Sequence, residues 1–333
     1  MAPLVKALEN DPAIESYVCV TAQHREMLDQ VIDLFKIKVD YDLNIMSHGQ
    51  TIIDILSKAM YGLDEVYKEL KPDMVLVHGD TSTTFVGAKI AYLNQIPVGH
   101  VEAGLRSGND YSPFPEEMNR KLTGTIAALH FSPTKGNYDN LIAEGVDAEK
   151  ISITGNTVID ALLQVADDNY VFSDESMKDI EFEGMRNVLL TCHRRENWGK
   201  PMEDIFDAVK QIAEENTDVQ IIFPVHLNPN IRKLAGEVFG EVSNVKLIEP
   251  LDYEPFANLI NKCEIILTDS GGIQEEAPTL GKPVLVLRTE TERPEAVESG
   301  TVKVIGVDRS VVYGEINNLL HNEEDYNRMK NAV

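Results

Sequence analysis

Cysteine, tryptophan and positive charge are all scarce in this chain of 333 residues. Its three cysteines (Cys19, Cys192 and Cys263) are isolated, odd in number and without metal-ligand spacing. That pattern argues against a disulfide framework and places the chain in a reducing, cytoplasmic compartment. Only 30 Lys and Arg stand against 55 Asp and Glu, a formal net charge of −25. Such a surface excludes a nucleic-acid partner, whose phosphates need a positive face, and it repels anionic membranes. No run approaches the ~18–20 consecutive apolar residues of a membrane span. No N-terminal signal is visible, because Met1-Ala2-Pro3-Leu4 leads straight into an amphipathic pattern. The eight histidines do not cluster with ligand spacing, and neither a Walker loop nor a GxGxxG turn follows a strand. A bound metal and a nucleotide cofactor are therefore not expected.

What is there is an alternation of strands and helices from end to end. Tyr17-Val18-Cys19-Val20 reads as a short strand, followed by a helix from about Arg25 to Phe35. From Thr51 to Leu70, Ile52, Ile55, Leu56, Ala59, Met60, Leu63, Val66 and Tyr67 recur at helical spacing. Met74-Val75-Leu76-Val77 is continuously apolar, as a strand covered on both faces must be. The rhythm breaks between about Asp167 and Arg186, a polar, acidic stretch without a period. It resumes with strands at 188–190, 219–223, 245–248, 265–267 and 284–286. The expectation is an α/β protein of two Rossmann-like domains with parallel sheets, spanning 1–166 and 167–333. The chain reads as starting inside the first helix, without the strand and turn that usually open such a domain, and as stopping in mid-helix at 329–333.

In open α/β sheets, function collects where strands end and helices begin. His78-Gly79-Asp80-Thr81 follows an apolar strand, and Asp80 is either an acid, base or hydroxyl ligand, or a helix cap. Glu102, in His100-Val101-Glu102-Ala103-Gly104-Leu105-Arg106, also ends a strand, with Arg106 as a candidate partner. Glu116 and Arg120, just after Pro115, are spaced i and i+4 on one helical face. Such a pair is either functional or an ordinary surface ion pair. Cys192-His193-Arg194-Arg195-Glu196-Asn197-Trp198 gathers two arginines, a histidine and the only Trp of a very acidic chain. A phosphate or acid/base role competes there with a basic loop paired to surface acids. The strand 265–267 runs into Asp269-Ser270-Gly271-Gly272 and a helix from Ile273 carrying Glu276. Glycines and free amides at a helix start suit a phosphate, and a carboxylate one turn in suits ribose hydroxyls. A plain strand-to-helix connection is the alternative. Thr291-Glu292-Arg293-Pro294-Glu295 offers another cation after a strand, and His226 lies in a loop.

Taken in order, these segments say more than any one of them. His78-Gly79-Asp80, Val101-Glu102-Ala103-Gly104-Leu105-Arg106, Pro115-Glu116-Glu117-x-Asn119-Arg120, Gly155-Asn156-Thr157, His193-Arg194-Arg195-Glu196, Pro224-Val225-His226, Asp269-Ser270-Gly271-Gly272-x-Gln274-Glu275-Glu276 and Thr291-Glu292-Arg293-Pro294-Glu295 closely resemble the non-hydrolysing UDP-N-acetylglucosamine 2-epimerases along the whole chain. The resemblance implies a GT-B-like fold with the substrate in the cleft between domains, and a homodimer serving polysaccharide biosynthesis. It implies interconversion of UDP-GlcNAc and UDP-ManNAc without metal or NAD, by elimination of UDP to a 2-acetamidoglucal and re-addition. On matching positions, Asp80, Glu102 and Glu116 become the acid/base candidates, with Arg120 orienting Glu116 or binding the sugar. His193 would face the diphosphate, and Ser270, Gly271 and Gly272 would hold phosphate. Glu276 would hold the ribose, Phe256 the uracil neighbourhood, and Arg293 would add charge.

Two departures stand out. The family's opening strand with its Gly-Thr-Arg-Pro-Glu turn and its closing Asn-Pro-Tyr-Gly-Asp-Gly stretch have no counterpart here, so reduced activity is one expectation. Gln23 and His24, with His226, match a region where some bacterial members bind a second UDP-GlcNAc as activator. Regulated members carry Gln at the position of Glu26. The alternatives are a hydrolysing epimerase that releases free ManNAc, a glycosyltransferase of the same fold, and a non-catalytic nucleotide-sugar binder.

Overall fold

A computed structural model describes residues 1–23, 25–47, 49–290 and 294–332. The chain forms two compact units, Met1–Ala161 and Leu162–Val333. In the first, α1 (Ala2–Glu9), β1 (Cys19–Val20), α2 (Arg25–Leu34), β2 (Tyr41–Asp42) and α3 (Ile52–Leu70) precede β3 (Val75–His78) and α4 (Ser82–Leu93). Then follow β4 (Val98–Val101), α5 (Glu116–Ile126), β5 (Leu129–Ser132), α6 (Lys135–Ala143) and β6 (Ile151–Ile153), and the chain passes into the second unit within α7 (Thr157–Val165). Strands β3, β4, β5 and β6 make a parallel sheet in that order, and β1 pairs in parallel with β2.

Local chemistry sets the element ends. A reciprocal capping box between Thr51 and Asp54 starts α3, and Lys71, in the left-handed region at φ 49°, ends it. Most of the apolar stripe seen in the sequence is buried, Ile55, Ala59, Leu63, Val66 and Tyr67 packing with Val75, Val77, Val86 and Ile90, but Ile52 is exposed. A small residue at Gly87 lets α4 lie close on the sheet, since a Cβ there would sit 3.1 Å from Val77.

The second unit contains β7 (Arg186–Thr191), α8 (Lys200–Glu215), β8 (Val219–Pro224), α9 (Pro229–Phe239), β9 (Val245–Ile248), α10 (Tyr253–Lys262) and β10 (Ile265–Thr268). It continues through α11 (Ile273–Thr279), β11 (Val284–Val286), α12 (Pro294–Ser299), β12 (Val302–Val304), α13 (Arg309–His321) and α14 (Glu323–Lys330). Its six parallel strands run in the order β12-β11-β10-β7-β8-β9. Alternate residues of each strand face opposite layers. Val188, Leu190, Ile221, Phe223, Ile265 and Leu267 meet α8, α9 and α13 on one side. Leu189, Ile222, Ile266, Val284 and Val286 meet α10 and α11 on the other. This double burial is why these strands read as unbroken apolar runs. Phe206, Phe223 and Phe239 pack on one another, with centroids 5.1–6.3 Å apart.

The acidic stretch after α7 is anchored rather than loose. Asp167 donates its amide to Asn258 Oδ1 at 2.8 Å, Phe172 stacks on Phe182, and Met177 is buried. Its missing period reflects anchoring at single aromatic and apolar points instead of along a face. Helix α14 ends at Lys330, and Thr301 Oγ1 then donates to the Ala332 carbonyl at 2.6 Å. Among the described residues, no helix is long and apolar enough to cross a membrane.

Candidate active site

In the first unit the carboxyl ends of β3 and β4 lie side by side, His78 in register with Val101. The chain leaves β3 through Gly79 at φ 70°, a conformation that glycine adopts without strain. That turn is held from four sides. His100 Nε2 donates to the Gly79 carbonyl at 2.8 Å, and Thr84 Oγ1 donates to the His78 carbonyl at 2.6 Å. Asn119 Nδ2 donates to the Asp80 carbonyl at 2.9 Å, and Thr81 caps α4. The Asp80 side chain is thereby released from capping and pairs with the Arg120 guanidinium.

The same turn gathers the other carboxylates. Burial pushes the Asp80 carboxyl up, Arg120 opposes the shift, and the negative charges of Glu102 and Glu116 add to it. Glu102, after β4, and Glu116, at the start of α5, thus both act on Asp80, after β3. Glu102 sits at φ 62°, a strained backbone for a non-glycine residue, with Oε2 3.3 Å from His78 Nε2.

Two expected pairings are corrected. Arg106 does not serve Glu102. It makes a bidentate pair with Glu144, at 2.7 Å for each nitrogen, and this pairing holds the Glu144 carboxyl below the usual carboxylate range. Arg120 closes on Asp80 rather than Glu116, because α5 lies across the Asp80 turn. Sequence spacing along one helix could not disclose a partner 40 residues away. One supporting residue was missed as well. Glu117, fully buried, accepts the amides of Ser107 and Gly108 at 3.0 and 3.3 Å and so fixes the loop before α5. Gln23 accepts a hydrogen bond from Thr83 Oγ1 at 3.0 Å, which places it beside the start of α4. His24, named with it, lies outside the described residues.

In the second unit the strand order reverses between β7 and β10, and in open α/β sheets ligands bind at that switch point. Thr191 and Thr268, the last residues of these strands, are in register and share a hydroxyl bond of 2.6 Å. Directly beyond them come His193 and Asp269. Asp269, expected to be part of the phosphate grip, is fully buried. Its Oδ2 accepts the amides of His193 and Arg194 at 2.8 Å each and Asn197 Nδ2 at 3.1 Å. His193 lies with Nδ1 3.2 Å from Asp269 Oδ1, and His226 stacks on it at 5.8 Å between centroids. His226, expected near a regulatory site, is therefore a neighbour of His193. In the same loop Arg195 lies over Trp198, and Glu196 pairs with Arg288 at 3.0 Å.

The glycine turn is partly as expected. The Ser270 amide is spent on Thr268 Oγ1 at 2.9 Å. Gly272 already has helical angles, with open space where a Cβ would stand. The Glu275 and Glu276 amides at the start of α11 are spent on the Gly272 carbonyl, at 3.0 and 3.1 Å. Burial pushes the Glu276 carboxyl up, with Glu275 adding to the shift. Tyr253, a residue missed from sequence, senses Glu276, and burial pushes its phenol up to about 12. Phe256 is half-buried one turn further along α10. Arg293 lies outside the described residues.

Comparison with known proteins gives one answer. The family model for UDP-N-acetylglucosamine 2-epimerase matches residues 6–333. A UDP-N-acetylglucosamine 2-epimerase of Bacillus subtilis is 55% identical over 332 residues, covering 100% of this chain and 86% of its own. A solved structure of S. aureus MnaA with UDP is 50% identical, with a TM-score of 0.88, covering 100% of this chain and 87% of that one. The UDP-GlcNAc 2-epimerase of Neisseria meningitidis bound to UDP-GlcNAc is 46% identical, with a TM-score of 0.87, covering 100% and 91%.

Proposed function

The chain belongs to the UDP-N-acetylglucosamine 2-epimerase family, and from that premise we propose that it interconverts UDP-GlcNAc and UDP-ManNAc through a 2-acetamidoglucal. The C2–H bond and the C1–O bond to UDP break, the proton goes to a protein base, and UDP leaves with the electron pair. Returning UDP to C1 and a proton to the opposite face of C2 gives the epimer. The route is redox-neutral and asks only for proton transfer and a stabilised anion.

The observation that carries this reading is the gathering of Asp80, Glu102 and Glu116, with Arg120 closed on Asp80. Elimination and re-addition need proton donors and acceptors at C2, and Asp80, whose carboxyl is pushed up by burial and by the neighbouring negative charges, holds a proton more readily than a free carboxylate does. Arg120 holds Asp80. In the second unit, Ser270, Gly271 and Gly272 border the diphosphate at the start of α11, where the helix dipole favours an anion. His193 faces the leaving group, Glu276 takes the ribose hydroxyls, and Phe256 borders the uracil. Arg293 adds positive charge. Gln23, which adjoins the Asp80 turn, and His226, which adjoins His193, are the proposed regulatory residues.

Incubation with UDP-GlcNAc in D2O tests the whole reading. Deuterium at C2 of both epimers, with UDP retained, is expected. Unlabelled UDP-ManNAc would refute the elimination, and free ManNAc would mean that water replaces UDP at C1. Unchanged turnover in Glu116→Gln would remove that residue from the chemistry. A homodimer in the cytoplasm is the finer expectation. The exposed Ile52, Ile53 and Tyr61 of α3 and three unpaired cysteines support it, and sedimentation gives the assembly.

A further inference from the structure

The buried Asp269 carboxylate is the least explained charge in the second unit. Oδ2 is fully engaged by three N–H donors, while Oδ1 faces His193 Nδ1 at 3.2 Å. Oδ1 has no hydrogen-bond partner among the described residues, and the His193 contact at 3.2 Å falls short of hydrogen-bond geometry. The Cys192 thiol also lies against Asp269, and burial holds that thiol well above its ordinary range, so it remains a weak S–H donor. A buried carboxylate oxygen is costly unless it receives a proton donor, and among the described residues the imidazole is the one strong candidate.

We infer that Asp269 is the positioning residue for His193: Oδ1 takes the Nδ1–H, and Nε2 is left as the nitrogen that meets the ligand. The argument rests on the proposed role of His193 toward the diphosphate. With Nδ1 always carrying hydrogen, His193 exchanges its proton through Nε2 alone. Stacking on His226 fixes the plane of the ring, and Asp269 fixes its rotation and tautomer. The backbone supports this rigidly, because the same carboxylate clamps the amides of His193 and Arg194, and Asn197 Nδ2 bridges it to the Leu287 carbonyl at 3.1 Å.

Asp269→Asn makes a sharp test. Three donors converge on the Oδ2 position, so the Asn carbonyl must occupy it. The amide NH2 then faces His193 Nδ1, which must become an acceptor, and the neutral ring switches to the Nε2–H form. Nitrogen-15 NMR, with His193→Gln identifying the signal, is expected to find neutral His193 protonated on Nδ1 in the wild type and on Nε2 in Asp269→Asn. The turnover number falls on the order of 100-fold in the variant, while UDP affinity changes less than ~5-fold. Adding Asp269→Asn to His193→Gln costs little more than His193→Gln alone. Wild-type His193 protonated on Nε2 would overturn the inference without requiring any variant of Asp269 to fold. An unchanged tautomer in Asp269→Asn would overturn it equally. If the tautomer switches but His193→Gln turns over normally, the positioning stands and the role given to His193 falls.

Discussion

Acidification should weaken the first unit through His100, and the size of the effect can be worked out. His100 is 1% exposed on β4, and burial depresses its imidazole to about 4. The Gly79 carbonyl opposes that shift, whereas His130, Arg106 and His78 reinforce it by adding positive charge nearby. His130 is its register partner on β5. In the unfolded chain the imidazole titrates near ~6.5. Between these values the unfolded state binds more protons than the native state, so stability falls as pH drops from ~6.5 towards ~4. At pH ~5 the loss relative to pH ~8 is about 2 kcal/mol. His100→Gln keeps an N–H for Gly79 but cannot titrate. Urea unfolding followed by far-UV circular dichroism at both pH values, for both proteins, isolates the effect. The buried His130, also depressed by burial, is present in both and cancels. The variant should lose about 2 kcal/mol less than the wild type on acidification. Equal losses would refute a buried, neutral His100.

Three other perturbations follow from the geometry. Gly104→Ala places a Cβ 2.2 Å from the Asn137 carbonyl at φ 90°, so the unit should lose about 3 kcal/mol or more, and an unmoved urea midpoint would count against it. Arg120→Met removes the group that pulls Asp80 down against burial, Glu102 and Glu116. The acid limb of the pH–rate profile should move to higher pH, with turnover down at least ~10-fold, and a limb that stays put would exclude Asp80 as its source. Glu276→Gln relieves a carboxyl that burial pushes up. Its native form binds protons more readily than the unfolded chain does, so stability is lost as pH rises through the titration. The variant should therefore be more stable at pH ~8 yet bind UDP roughly 10-fold more weakly by calorimetry, and unchanged binding would take Glu276 out of the nucleotide site.

Strands of the second unit were legible because both faces are covered, so 265–267 and 284–286 are apolar throughout. Helix α3 was legible for the opposite reason: one face is buried and its period is regular. Candidate residues could be picked because Asp80, Glu102, His193 and Ser270 each stand just beyond an apolar strand. Their partners could not. Arg106 joins Glu144 and Arg120 joins Asp80 across 38 and 40 residues, and nothing local encodes such pairs. Asp269 carried a misleading signal, since its place before Ser-Gly-Gly suggested a ligand contact whereas its carboxylate is buried under the His193 loop.

The sequence by itself determined the alternation of strands and helices, the apolar faces and the polar residues at strand ends, because each depends on neighbours within a few positions. Its ordered motifs also pointed to the family. Tertiary structure alone decided which charges meet. Parallel strands bring their carboxyl ends to one edge, so residues far apart in the chain converge there, and burial then sets which carboxyl is raised and which imidazole stays neutral. Strand order decided the rest, for only the reversal between β7 and β10 sets His193 over Asp269.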